Sequence, residues 1–175
     1  RAQDMGGEGG GVSYGYSIRG AWRPPYIETT GFIATTFFRL AALRNDRALF
    51  DRAIRMADWL LTVQKPNGSF GNSRFSSDGI VFDTGQDLFG LVRAHRETGE
   101  SRYLEAGERA GRWLVEDAAD AEGRWTQSTH LGVPHVYNTR VAWGLLQLNA
   151  EAPSAHHERV ARANLDWALS QQQRS

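Results

Sequence analysis

Residues 59–70, Trp59-Leu60-Leu61-Thr62-Val63-Gln64-Lys65-Pro66-Asn67-Gly68-Ser69-Phe70, close a helical pattern and run into a Pro/Gly turn. Elements of this stretch recur. Trp113 and Trp167 follow Trp59 at successive intervals of 54 residues. Gly68-Ser69-Phe70 is echoed 55 residues later by Gly123-Arg124-Trp125. Glu28-Thr29, Asp83-Thr84 and Asn138-Thr139 are likewise spaced by 55. Independent markers at one period identify an internal repeat, longer than the common short solenoid units.

Each unit reads as two helices of different character. The first is expected just after Glu28, Asp83 or Asn138 and is unusually apolar: Phe32, Ile33, Phe37, Phe38 and Leu40, then Leu88, Phe89, Leu91 and Val92, then Val141, Trp143, Leu145, Leu146 and Leu148. The second is amphipathic, with Leu49, Ala53, Met56, Ala57 and Leu60 at helical spacing among Asp51, Arg52, Arg55 and Asp58. Asp46, Ser101 and Ser154 are the expected N-caps of these second helices. An apolar helix paired with an amphipathic one implies two concentric layers, the apolar helices inside. The expected fold is therefore all-α, with tandem helical hairpins forming an arc of about half an α/α toroid. Units of 28–82, 83–137 and 138–175 follow, in a single partial toroid domain over 1–175, with 1–27 the tail and connecting loop of a preceding unit. The missing hairpins of a longer parent chain are then its natural packing partners.

Composition removes several function classes. Twenty Lys and Arg balance twenty Asp and Glu, so no net charge draws the chain to nucleic acid or an anionic membrane. Apolar runs are only a few residues long, which excludes a membrane-spanning helix. The absence of cysteine rules out disulfides and thiolate chemistry. The compartment is left open, with the cytoplasm preferred. The glycine run from Gly6 to Gly11 lacks the strand, helix and Lys of a phosphate loop and reads as a mobile connector.

The stretch from Trp59 to Phe70 resembles the Gln–Trp repeat of terpenoid cyclase and prenyltransferase toroids, with Phe70 in place of the final Trp. Trp125 keeps that Trp in the next unit, where Ala118 stands in place of Gln64. Trp167 and Gln171 continue the motif, and Gln3 before the glycine run looks like its tail in an earlier unit. The resemblance implies architecture, not that family's chemistry: there is no DxDD acid run, and no Cys for a zinc site. Phe82-Asp83-Thr84-Gly85-Gln86, Gly90-Leu91-Val92-Arg93-Ala94 and Thr98-Gly99-Glu100-Ser101-Arg102-Tyr103-Leu104-Glu105-Ala106 resemble hairpins of bacterial six-hairpin carbohydrate-active proteins. These include glycosidases, sugar epimerases and uronate-processing enzymes, and the likeness implies a sugar ligand.

In such a fold three loops share one rim: Tyr14 to Glu28, Asn72 to Asp83, and Gln127 to Asn138. The first carries Tyr14, Tyr16, Arg19, Trp22, Arg23 and Tyr26, and the third carries His130, His135 and Tyr137. Aromatic faces stack on sugar rings, while Arg, Asn and carboxylates bind hydroxyls. Asp83 with Gln86 fits a capping box, and Asn138 is a good cap. Glu is a poor N-cap, so the Glu28 carboxylate is free to enter the cavity. Glu28 and Asp83 are the candidate acid and base. Trp22, Arg23, Tyr26, Gln86, His130, His135, Tyr137, Asn138 and Arg140 are the candidate substrate-binding residues. His130 and His135 do not have a zinc spacing, and neither metal nor cofactor is expected. His156 and His157 are expected in solvent, and Trp59, Trp113 and Trp167 in the core.

The expected function is action on an oligo- or polysaccharide by hydrolysis, elimination or epimerisation. The alternatives are a non-catalytic glycan-binding or scaffold toroid in polysaccharide biosynthesis and, ranked lower, an isoprenoid-handling enzyme.

Overall fold

The computed structural model describes residues 1–5, 8–71 and 78–172 of the chain. A short α1 (Ala2–Met5) is followed by three helix pairs: α2 (Ile27–Arg44) with α3 (Arg47–Val63), α4 (Val81–Thr98) with α5 (Ser101–Glu116), and α6 (Thr139–Glu151) with α7 (Ala155–Ser170). The helices α2, α4 and α6 pack side by side in sequence as an inner layer. Each of α3, α5 and α7 lies mainly against its own inner partner. Extended structure among the described residues is confined to isolated bridges, two of them across the loop that enters α2 (Ser13 with Pro25, Tyr16 with Trp22). No helix among the described residues is long and apolar enough to cross a membrane.

The inner layer is close because glycines sit where neighbouring backbones meet. A Cβ on Gly90 would fall 2.7 Å from the Gly31 carbonyl, and one on Gly144 would fall 2.7 Å from the Gly85 carbonyl. Both pairs repeat at 54 residues, so the helices share the register of the tryptophans. The core between layers holds Phe38, Leu60, Leu88, Leu91, Tyr103, Leu114 and Leu145, all essentially inaccessible to water. Each such side chain contributes roughly 1.5–3 kcal/mol on burial.

The Gln–Trp stretch ties one hairpin to the next through backbone carbonyls. Gln64 Nε2 donates to Gly68 O (2.9 Å) and across to Ala106 O on α5 (2.8 Å). Gln3 does the same, donating to Gly10 O (3.0 Å) and Arg52 O on α3 (2.8 Å). Ala118 cannot make this bridge, and Asn164 on α7 replaces it from the opposite side. Its Nδ2 reaches Gly123 O (2.5 Å) and Val160 O (3.0 Å), the two carbonyls equivalent to those that Gln64 joins. The aromatic partners Phe70 and Trp125 are both fully buried, and Trp125 donates to Leu114 O.

Several local expectations are corrected. The first inner helices start before the acidic residue, not after it: Tyr26 and Ile80 occupy the cap positions, without a side-chain cap. Asp83 is thus inside α4, not an N-cap, and the capping box with Gln86 is absent. A neighbouring loop supplies a partner instead, because Val81 N–H donates to Ser128 O (3.1 Å). Asn138 does precede α6, but with helical backbone and no side-chain cap bond. Asp46 and Ser154 cap α3 and α7 as expected, whereas Glu100, not Ser101, precedes α5.

Glycines 9–11 are packed structure, not a mobile connector: a Cβ on Gly11 would meet the Trp59 ring at 2.7 Å, and one on Gly10 the Arg55 carbonyl at 2.6 Å. Gly6 and Gly7 lie outside the described residues. Trp59 and Trp113 are buried, but Trp167 is only half-buried. His157 is buried at 8% exposure, against the expectation of a solvated residue.

Candidate functional site

The N-terminal ends of α2 and α4 carry acidic residues in their first turns, Glu28 and Asp83. Carboxylates there meet the positive end of the helix dipole. Beside Asp83 lies a cleft of about 480 Å³, lined by Tyr26 before α2, Gly79, Ile80 and Asp83 at the start of α4, and Ser128 to Leu131 from the third loop; Glu28 is not on its wall. The first and third loops therefore do meet at one rim. The segment from Asn72 to residue 77 in the second loop lies outside the described residues.

Asp83 lines the cleft and is 4% exposed. One helical turn further on, Asp87 is completely buried. It is pressed against Gly31 of α2, and neither carboxyl oxygen has a hydrogen bond of ordinary geometry. Burial, reinforced by the negative charges of Asp83 and Glu28, pushes the Asp87 carboxyl well above the usual carboxylate range, and only the Gly31 backbone opposes. Glu28 is half-buried; burial raises its pKa also, against the opposing charge of Arg140. The Tyr26 hydroxyl is pushed up to about 12 by burial and then by Asp83, Glu28 and Asp87. These groups form one electrostatic cluster, two of whose carboxyls are held toward the protonated form.

Asp87 does not stand out in the sequence because it sits inside an apolar helix. A signal is present: at the 54-residue register of the glycines its equivalents are Ile33 and Val141, so one unit carries an acid where the others carry β-branched apolar residues. The same register shows that Glu28 and Asp83 are one residue out of step. Thr30, Thr84 and Asn138 are the equivalent set. Thr30 Oγ1 accepts from Val12 N–H (2.9 Å), and Thr84 Oγ1 accepts from Phe70 N–H (3.0 Å). Asn138 stands at this loop-anchoring position, is 2% exposed, and has no partner for either side-chain polar atom.

Gln86 is buried and accepts from Arg140 Nε through Oε1 (2.5 Å). Arg140 also lies over the rings of Phe32 (5.7 Å) and Phe89 (5.4 Å), so it bridges α2, α4 and α6 beside Glu28. His130 lines the cleft. His135 contacts His130 O through Nε2 (2.7 Å) and stacks on Tyr137 with ring centroids 4.8 Å apart. Tyr137 in turn meets Phe82 edge-on. Trp22 pairs edgewise with Tyr16 on the first loop's hairpin, and Arg23 is exposed there. Neither lines the cleft. Among the described residues no group of three His, Cys, Asp or Glu is arranged to hold a metal ion.

No protein-family model matches the chain, and no curated protein matches it. Among solved structures it is similar to an unsaturated glucuronyl hydrolase specific for heparin, with a TM-score of 0.72 and 22% sequence identity. The match covers 95% of this chain and 43% of that one. The fold is thus an all-α arc, about half of an α/α toroid, built from tandem helical hairpins.

Proposed function

We propose that this arc belongs to a carbohydrate-active toroid that acts on an oligo- or polysaccharide at the mouth bounded by Tyr26, Asp83 and His130. The observation that carries the reading is Asp87. A helix dipole accounts for carboxylates in the first turns of α2 and α4. It gives no reason to bury a third carboxyl, without ordinary hydrogen bonds, beneath them at a cost that apolar Ile33 and Val141 avoid. Enzymes that move protons at sugar carbons or glycosidic oxygens need neighbouring carboxyls with separated pKa values.

In this reading Glu28, raised by burial, is the proton donor. Asp83, on the cleft wall, is the base or nucleophile. Asp87, protonated beneath it, is a positioning residue that couples the two. Arg140 orients Gln86 and balances the charge of Glu28. The similar structure is of a hydrolase whose substrate is named by glucuronyl units and heparin, which supports a sugar as ligand. An isoprenoid pocket would need an apolar lining, whereas Asp83, Ser128, Thr129 and His130 are polar.

Thermal unfolding with neutral oligosaccharides, uronate oligosaccharides and isoprenoid diphosphates tests the ligand class, since a ligand of the folded state raises Tm by mass action. Stabilisation by a sugar class is the expected result. Stabilisation by isoprenoid diphosphates alone would restore the terpenoid reading, and sugar binding without turnover would favour the scaffold.

A further inference from the structure

The inner helices continue well past the acidic mouth. A groove of about 540 Å³ lies between the C-terminal halves of α2 and α4 and the middle of α6. Arg39 is eleven residues beyond Glu28 on α2, which places the groove roughly 16 Å along the helix from the mouth. The 54-residue register sorts its lining into tiers. Thr35, Phe89 and Trp143 form one; Arg39, Arg93 and Gln147 form the next.

The aromatic tier is partly open. Trp143 packs edgewise on Phe89 (4.9 Å) yet is 52% exposed, an unusual state for an indole on an inner helix. The cations that line the groove are incompletely neutralised. Arg96 is held by Glu151 (2.6 Å) and Gln147 (2.7 Å), and Arg93 by Glu97 (2.5 Å). Arg93 Nε nevertheless stays buried without a partner. Arg39 is exposed and makes no ion pair among the described residues. No carboxylate lines the groove. Stabilisation of helix C-termini explains cations near Arg44 and Thr98 in general. It does not explain an open indole beside them.

We propose that this groove binds an anionic sugar unit, carboxylated or sulfated. The Trp143 face takes the ring, and the guanidinium groups of Arg39 and Arg93 take the anionic group. The proposal deepens the sugar-acting reading and rests on it for the class of ligand. In this proposal the groove holds a distal unit of the chain that is processed at Asp83. A planar, permanently charged guanidinium is suited to either carboxylate or sulfate oxygens.

The test is calorimetric titration of this chain with a uronate oligosaccharide, its carboxyl-reduced neutral counterpart and a sulfated counterpart. Both exposed side chains are altered, Arg39→Met and Trp143→Ala, with helical circular dichroism to confirm folding. Anionic sugars should bind, with the neutral one at least about tenfold weaker, and each variant should lose about tenfold or more. Preference between the uronate and the sulfated sugar identifies which anion the groove takes. Equal affinity for the neutral sugar, unchanged binding in both variants, or no binding of any sugar would overturn the proposal. Turnover separates this from the mouth. If Glu28→Gln and Asp83→Asn abolish turnover while Arg39→Met and Trp143→Ala leave KM unchanged, the groove fails and the mouth stands. Arg39-dependent affinity without any turnover supports the groove and removes the chemistry of the mouth.

Discussion

Replacing Asp87 by Asn removes an ionisable group from the most deeply buried point of the acidic cluster while keeping its shape. In the folded chain burial, then Asp83 and Glu28, keep the wild-type carboxyl protonated well above its usual range. In the unfolded chain it ionises near pH 3.9. Below that pH both states carry the proton and Asp87 costs nothing electrostatically. As pH rises toward the folded pKa, only the unfolded state releases its proton, and wild-type stability falls by about 1.4 kcal/mol per pH unit.

Asn escapes this loss. It leaves a buried amide in a place where neither oxygen of Asp87 has an ordinary hydrogen bond, a pH-independent cost of about 1–3 kcal/mol. The slope therefore decides the matter, not the offset. Urea unfolding of both proteins from pH 4 to pH 8 should show Asp87→Asn gaining on wild type at that slope until Asp87 ionises in the folded state, then running parallel. A difference that does not vary with pH would refute the assignment of a raised pKa to Asp87. A wild type that gains on the variant with rising pH would refute it equally.

Other consequences are local. Asn164→Ala, which breaks the bonds to Gly123 O and Val160 O, should cost about 2–4 kcal/mol in chemical denaturation, and an effect below about 0.5 kcal/mol would remove it as the substitute for Gln64. Gly31→Ala gains helix propensity but would place its Cβ 2.6 Å from the Asp87 Cα, so a net loss of about 1–3 kcal/mol is expected in the same assay. Burial, outweighing the nearby Glu108 and Glu116, lowers the pKa of His157. The unfolded chain then takes up a proton below about pH 6.5 before the folded chain does, and stability falls with acidification through that range. His157→Gln should flatten that part of the stability profile, and an unchanged profile would contradict the assignment.

The architecture was legible because its markers are tied to packing. Trp59 and Trp113 recur at 54 residues because their helices do, and Gln64 has its counterpart in Gln3 but in the following unit recurs only in function. What Asn164 does for Gly123 and Val160 is invisible at the level of a motif, since the amide comes from the next outer helix and not from residue 118. The starts of α2 and α4 were misread because Tyr26 and Ile80 are not capping residues. For α4 the neighbouring loop provides a partner through Ser128, a contact between distant residues that local propensity cannot encode. Tyr26, Asp83 and His130 stand out from their loops as polar and aromatic residues, and the structure places these three, without Glu28, on one cleft wall. Asp87 is not legible from the loop markers, because it lies inside the apolar helix α4, where its burial against Gly31 depends on the packing of α2 on α4.

The most direct test of the sugar-acting mouth is turnover of a bound oligosaccharide by wild type, Glu28→Gln and Asp83→Asn, followed as product release under saturating conditions. The account predicts that each variant keeps its helical content and its affinity but loses about a hundredfold or more in kcat, the scale of a removed general acid or base. Turnover that survives both substitutions would contradict it.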